Sequence, residues 1–336
     1  MSDTEDPPAG TIATRGTGLI HAYVLDGHGG GESLTWQGVD HWKPADGVLW
    51  LNLDYAATDA QEWLFMRSGI DPVVREALLD RDPRPRALVI GDAMLLIVRA
   101  INLNQGAQPE DMVSLRCWIE PHRVITLRHR MVRIVKTIAA DLLAGTGPTS
   151  PGTFLDEIVE RAVEPVVTCV DGIDDDVSRL EDAVLGDHTL ELRGRLAELR
   201  RRAIALRRFI APERDAFLRL SSIGAPWIGD GDAGRLREAA DRLTRTVEEL
   251  DAARDRAAVT HEEMASRVGE LTNQRLYVLS IITAIFLPLG FITSLLGVNV
   301  GGVPGQHVEW GFWLLCGLFA VGLGIQLWLF RRWKWL

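Results

Sequence analysis

Residues 276–299 read LYVLSIITAIFLPLGFITSLLGVN, and no charged side chain occurs from Leu276 to Val308. The first apolar run in this stretch, Leu276–Leu296, has 21 residues. At about 1.5 Å per residue it is long enough to cross a hydrocarbon core about 30 Å thick. A second run, Phe312–Phe330, is of similar length. A buried helix in a soluble protein can be as apolar as either run. Two in succession at the C-terminal end instead predict a transmembrane hairpin over residues 276–336.

The flanks give an orientation. Arg275 precedes the first run, Arg331, Arg332 and Lys334 follow the second, and the connecting loop Gly297–Gly311 has neither Lys nor Arg. This asymmetry predicts a multi-pass protein of the inner membrane with both termini cytoplasmic. Trp310, Trp313, Trp328, Trp333 and Trp335 fall where interfacial anchors belong.

Upstream, nothing breaks a helical pattern between Asp232 and Pro288. Apolar residues recur at Leu236, Ala240, Leu243, Val247 and Leu250, resume at Met264, Val268 and Leu271, and run on through Val278, Ile282, Ile285, Leu289, Ile292 and Leu296. Alternation of four and three is a heptad seam. It predicts one helix of roughly sixty-five residues, a stalk continuous with the first span. Two more long helices are expected over Thr153–Leu185 and Thr189–Leu220, with Pro165 and Pro212 as candidate kinks. A second turn is expected over Ser222–Gly234. The helical stalk occupies residues 151–275.

Residues 17–150 have the pattern of an α/β domain. Strands are expected at Gly18–Leu25, Val48–Leu53, Ala87–Ile90, Met94–Leu103, Ser114–Ile119 and His122–Arg128. Short helices are expected at Glu62–Met66 and Pro72–Leu79, and Gly145–Gly152 reads as a linker. Residues 1–16 begin Met-Ser-Asp-Thr-Glu-Asp-Pro-Pro, which is acidic, lacks the apolar core of a secretory signal, and is expected to be disordered. The net charge is −10, and Cys117, Cys169 and Cys316 stand far apart, so no disulfide framework or zinc knuckle is signalled. No H-E-x-x-H, Walker loop or nucleophile signature supports an enzyme.

The first span carries a second stripe. Asn273, Leu276, Ser280, Thr283, Leu287, Gly290, Ser294 and Gly297 also alternate by three and four. Small and hydroxylated residues often serve helix packing alone. The alternative is a water-filled path lined by neutral oxygens. One hairpin cannot enclose such a path, whereas several copies around an axis can, which makes a cyclic homo-oligomer the natural symmetry. The stripe holds no carboxylate, thiol or imidazole. It suits a cation that keeps much of its water, with Leu276 and Leu287 as apolar constrictions. Gly297 is expected to end the helix in a left-handed conformation, and Asn299 to place an amide oxygen at the outer mouth.

Phe286, Pro288, Leu289, Phe291 and Ile292, followed by Gly297-Val298-Asn299 and Gly301-Gly302-Val303-Pro304-Gly305, resemble the first membrane helix and signature of the CorA metal-ion transporter family. Val298 stands where most members carry Met, and in this the chain is similar to the zinc-transporting, ZntB-like branch. The resemblance implies a homopentameric funnel with a central pore lined by the first span. Its pore positions fall on Asn273, Leu279, Leu287, Gly290, Ser294 and Asn299, so Leu279 takes the place that the stripe gives to Ser280. It also implies Zn²⁺ as the transported ion, with Mg²⁺, Co²⁺, Ni²⁺ and Cd²⁺ as alternatives, and proton-coupled uptake, with export as the alternative. No resident cofactor is implied. No position here matches the magnesium-sensing carboxylates of the family.

Other features carry a bland and a sharp reading. Asp174-Asp175-Asp176, Glu181 and Asp182 read as a solvated helix face, or as a lure for cations. Arg193, Arg195, Arg200, Arg201, Arg202, Arg207 and Arg208 read as inter-helix ion pairs rather than a nucleic-acid site, with contact to acidic membrane lipid as a third reading. His307 and Glu309 in the outward loop are zinc-ligating residue types. His261 interrupts the seam and reads as a polar heptad position, or as a site facing the funnel. A membrane-anchored oligomeric sensor or scaffold is the competing reading from another class.

Overall fold

The computed structural model describes residues 18–183, 189–297 and 310–332. They divide into two compact units, Met1–His261 and Glu262–Leu336.

The first unit is built on a seven-stranded sheet. Its strands are β1 (Leu19–Leu25), β2 (Gly31–Ser33), β3 (Val48–Asp54), β4 (Arg86–Ile90), β5 (Ala93–Ala100), β6 (Val113–Glu120) and β7 (Arg123–Arg128), in the order β2-β1-β3-β7-β6-β5-β4. All neighbours are antiparallel except β3 and β7, which are parallel. Helices α1 (Trp36–His41), α2 (Thr58–Met66) and α3 (Pro72–Leu79) connect the early strands. Strand β5 is buried along almost its whole length, which explains its unbroken apolar run Met94–Val98.

Alternation along β3 sorts the core into two layers. Leu49, Leu51 and Leu53 pack with Ala60, Trp63, Leu64, Val74 and Leu78 of α2 and α3. Trp50 points the other way and meets Phe154 at 5.1 Å between ring centroids. That second face is covered by α5 (Pro151–Ala183) and α6 (Thr189–Ile223), and α4 (Arg133–Ala144) packs against α5. Helix α4 ends at Gly145, whose φ of 75° is left-handed, a conformation glycine adopts without a Cβ penalty. Phe154 is wholly buried, a placement that contributes about 1.5–3 kcal/mol.

Most strands fall within a residue or two of their predicted ends. Strand β5 stops at Ala100, short of Leu103, because Asn102 leaves the ladder. Its amide donates to the carbonyl of Asp111 and its oxygen accepts from Asn104. Strand β2 and helices α1 and α4 are additions that turn and periodicity signals did not single out.

Helix α7 (Asp230–Leu296) has 67 residues, and the predicted turn before it narrows to Gly224–Gly229. Asp232 accepts from the N–H of Gly229, which lets the helix start earlier than its apolar pattern does. Its seam is buried at Leu236, Ala240, Leu243, Val247 and Leu250. Ala253, Ala257 and Thr260 then carry the register to Met264. The expected interruption at His261 is therefore absent. His261 lies beside the seam, and small residues fill the positions that a search for large apolar ones leaves blank.

Arginines fasten α7 to α5. Arg235 pairs with Asp156 at 2.5 Å, Arg242 with Glu160 at 2.8 Å and with Glu164, and Arg256 with Asp174 at 2.7 Å and Glu181 at 2.5 Å. From α6, Arg202 faces Glu110 at 3.4 Å, Arg207 pairs with Asp251 at 2.6 Å, and Arg208 reaches Asp82 at 3.4 Å. Of these, only Arg207–Asp251 joins two helices as expected; Glu110 and Asp82 lie in loops of the sheet domain, so Arg202 and Arg208 tie α6 to that domain instead. Asp174 and Glu181 of the acidic run are likewise taken by Arg256, and Asp176 by Arg179.

Candidate functional site

The second unit contains the C-terminal part of α7 and helix α8 (Gly311–Arg332). Both helices are long and apolar enough to cross a membrane. From Tyr277 to the end of α7 no side chain is charged, so the polar groups there are hydroxyls and the helix backbone.

Two faces of α7 differ. Asn273, Leu276, Leu279, Ser280, Thr283, Leu287, Gly290, Ser294 and Gly297 are all exposed in the single chain, Leu287 at 70%. Ile281, Ala284, Ile285, Leu289 and Ile292 are partly covered. With about 3.6 residues per turn these sets lie on opposite sides of the helix. The covered side is the one tied to α8, because the side-chain amide of Gln326 donates to the carbonyl of Ala284 at 3.3 Å. On α8, Phe319, Gly322, Gln326, Leu329 and Phe330 are covered, again at helical spacing. Leu279 and Ser280 fall on either side of the midline through Leu276, Thr283, Leu287 and Ser294, which is why residue pattern and family resemblance select different members of this pair.

Two hydroxyls of the exposed stripe have a defined polarity. Ser280 Oγ donates to the carbonyl of Leu276 at 2.8 Å, and Thr283 Oγ1 donates to that of Leu279 at 2.8 Å. The proton of each hydroxyl is thereby engaged within the helix. What remains outward is the oxygen lone pairs, so these groups present acceptors. Such a face receives hydrogen bonds from water, and most readily from water polarised by a cation.

Gly297 ends the helix with its N–H donating to the carbonyl of Thr293 at 2.9 Å. Its backbone is not among the left-handed glycines, contrary to expectation. The helical bond persists to this residue, so no reversal is needed there. Val298 and Asn299 of the signature, and His307 and Glu309 of the loop, lie outside the described residues. Trp310, Trp313 and Trp328 are exposed at the ends of α8, and Arg332 stacks over Trp328 at 5.8 Å. Among the described residues no three His, Cys, Asp or Glu side chains converge as a metal-binding group.

Sequence reasoning passed over Gln326. The signal was available: it is the one strongly polar side chain between Trp310 and Arg331, and a polar residue inside a span ordinarily has a partner.

A family model described as "CorA-like Mg2+ transporter protein" matches residues 45–332. The chain belongs to the CorA family. Among CorA-family relatives, the divalent cation transporter CmaX of Pseudomonas aeruginosa is 39% identical over 323 residues, which is 95% of this chain and 97% of that protein. The zinc transport protein ZntB of Yersinia enterocolitica is 36% identical over 318 residues, 94% of this chain and 96% of that one. A solved structure of full-length CmaX superposes with a TM-score of 0.84 at 37% identity, covering 96% of this chain and all of the other. The CorA architecture expected from the signature, an α/β domain followed by long helices and two apolar C-terminal spans, is thus shown over nearly the whole chain.

Proposed function

We propose that this CorA-family protein is a divalent metal cation transporter that takes up Zn²⁺ across the inner membrane. Its conduit is the space enclosed by the exposed stripe of α7 in a homopentamer, with both termini in the cytoplasm. The observation that carries this reading is the outward set of hydroxyl acceptors on the side of α7 turned away from α8. An isolated hairpin has no use for such a face against lipid. Around a rotational axis, five copies make a tube whose wall accepts hydrogen bonds from the water shell of the ion.

Electrostatics favour a hydrated ion over a stripped one. The stripe offers neither the nitrogen and sulfur ligands that Zn²⁺ prefers nor a fixed oxygen octahedron for Mg²⁺. Neutral acceptors hold the outer water shell, and Leu276, Leu279 and Leu287 narrow the path and gate it by dewetting. Asn299 at the outer mouth selects the hydrated ion, and His307 and Glu309 meet it before entry. Zinc is preferred because Gly297-Val298-Asn299 resembles the zinc branch and a 36% identical relative is a zinc transport protein. Proton coupling follows the same resemblance.

Uptake of Zn²⁺ into proteoliposomes with and without a pH gradient tests this. Faster uptake with the inside alkaline supports coupled import, equal rates remove the coupling, and no flux removes the transport reading. The family model is described by Mg²⁺, which supports a second reading as a Mg²⁺ or Co²⁺ channel. Block by cobalt hexaammine, a mimic of hydrated magnesium, with Mg²⁺ outcompeting Zn²⁺ would favour it.

A further inference from the structure

Pro288 lies inside α7 and has no N–H. The carbonyl of Ala284, four residues earlier, therefore lacks its ordinary helical donor. In water, solvent fills such a gap. Inside a membrane a neighbouring helix, a side chain, an ordered water or a local adjustment of the helix does so. The Nε2 of Gln326 on α8 donates to this same carbonyl at 3.3 Å. Only the NH₂ end of the amide can serve a carbonyl, so the bond also fixes which way the amide points. The Oε1 at its other end is buried and receives no hydrogen bond from the described residues. The side chain is thus committed as a donor at the one point where the backbone ladder of the first span is broken.

We propose that Gln326 is a positioning residue for the conduit, and this rests on the transport reading above. Ala284 follows Thr283 directly and precedes Leu287 by one turn. A tie at its carbonyl fastens the second span to the segment that leads into the Leu287 constriction. Without the amide, the carbonyl is left to find water, and the only water at that depth is in the conduit on the opposite side. The turn carrying Thr283 and Leu287 would then rotate or bend towards it. Gln326 itself touches no ion. It acts through the backbone of α7.

The test is a double-mutant cycle in the full-length protein, with Zn²⁺ as the probe in proteoliposomes. Gln326→Leu is expected to lower the maximal flux roughly 2- to 10-fold, with little change in the half-saturating concentration. Pro288→Ala restores an N–H to the Ala284 carbonyl, so adding Gln326→Leu to that variant should cost nothing more. Gln326→Glu should follow pH: a protonated carboxyl donates and an ionised one does not, so its flux relative to the wild type at the same pH should recover on acidification. The same cycle read by thermal melting in detergent should show the same non-additivity. An equal loss from Gln326→Leu with and without Pro288, or no loss in either, overturns the proposal. If the wild type carries no Zn²⁺, the transport reading has failed, and the melting cycle still decides whether the amide serves that carbonyl.

Discussion

Thr283 donates its hydroxyl proton to the carbonyl of Leu279 at 2.8 Å. That bond fixes the rotamer and turns the oxygen lone pairs outward, away from the side of α7 that meets Gln326. Thr283→Val keeps the shape and removes the acceptor from every subunit. Zn²⁺ uptake into proteoliposomes should fall about fivefold, the equivalent of about 1 kcal/mol for a hydrogen bond to water. Thr283→Ser, which keeps the oxygen, should retain most of the rate.

The sheet offers a stability test far from the membrane. Trp50 is wholly buried, and its Nε1 donates to Thr126 Oγ1 at 3.0 Å, while Thr126 donates in turn to the carbonyl of Leu51 at 3.0 Å. Thr126→Val leaves the indole N–H without an acceptor. A loss of about 1–3 kcal/mol is expected, read as a lower melting temperature of the full chain in detergent.

Glu213 on α6 is buried beside Arg99 of β5. Burial pushes its pKa well above the ordinary carboxylate range, and the nearby Arg99 only partly opposes this. The sign follows from linkage. The protonated form is the one the folded state favours, so its stability is full below the ordinary pKa of Glu and is lost as pH rises towards the folded-state value. Glu213→Gln should therefore raise the melting temperature at neutral pH and flatten its decline from acid to neutral. His21 acts in the opposite sense. Burial, and then Arg128, lower its pKa to about 4, so its contribution is present above about pH 6.5 and is lost as pH falls towards 4. His21→Phe should reduce acid sensitivity in that window.

Arg256 bridges α7 to Asp174, Ser178 and Glu181 of α5. Its side chain is 37% exposed, so solvent screens the pairs. Arg256→Met should lower stability by no more than about 1 kcal/mol, and by less in high salt, as melting curves at two ionic strengths would show.

The spans, the long α7 and most strands were legible because each depends on local periodicity. Twenty-one uncharged residues at Leu276–Leu296 and the alternation at Leu236–Leu250 leave few other structures open. That Ser280, Thr283 and Ser294 share one face of α7 follows from the same periodicity. What sequence could not supply is pairing between distant elements. Nothing local tells that Pro288 needs Gln326, 38 positions on, or that Arg256 will meet Glu181 rather than water. The seam between Leu250 and Met264 was misread for a simpler reason. Ala253, Ala257 and Thr260 are small, and a hydrophobicity pattern discounts residues whose role is to let helices approach.

The central claim is that one side of α7 faces water and the other does not. Single cysteines placed at Ser280, Thr283, Leu287, Gly290 and Ser294, and at Ile281, Ile285 and Ile292, in a chain lacking Cys316, can be reacted with a charged, membrane-impermeant thiol reagent in the assembled protein. The account predicts fast modification confined to the first set and slowed by Zn²⁺. Equal reactivity of the two sets, or a first set as inert as the second, would contradict it.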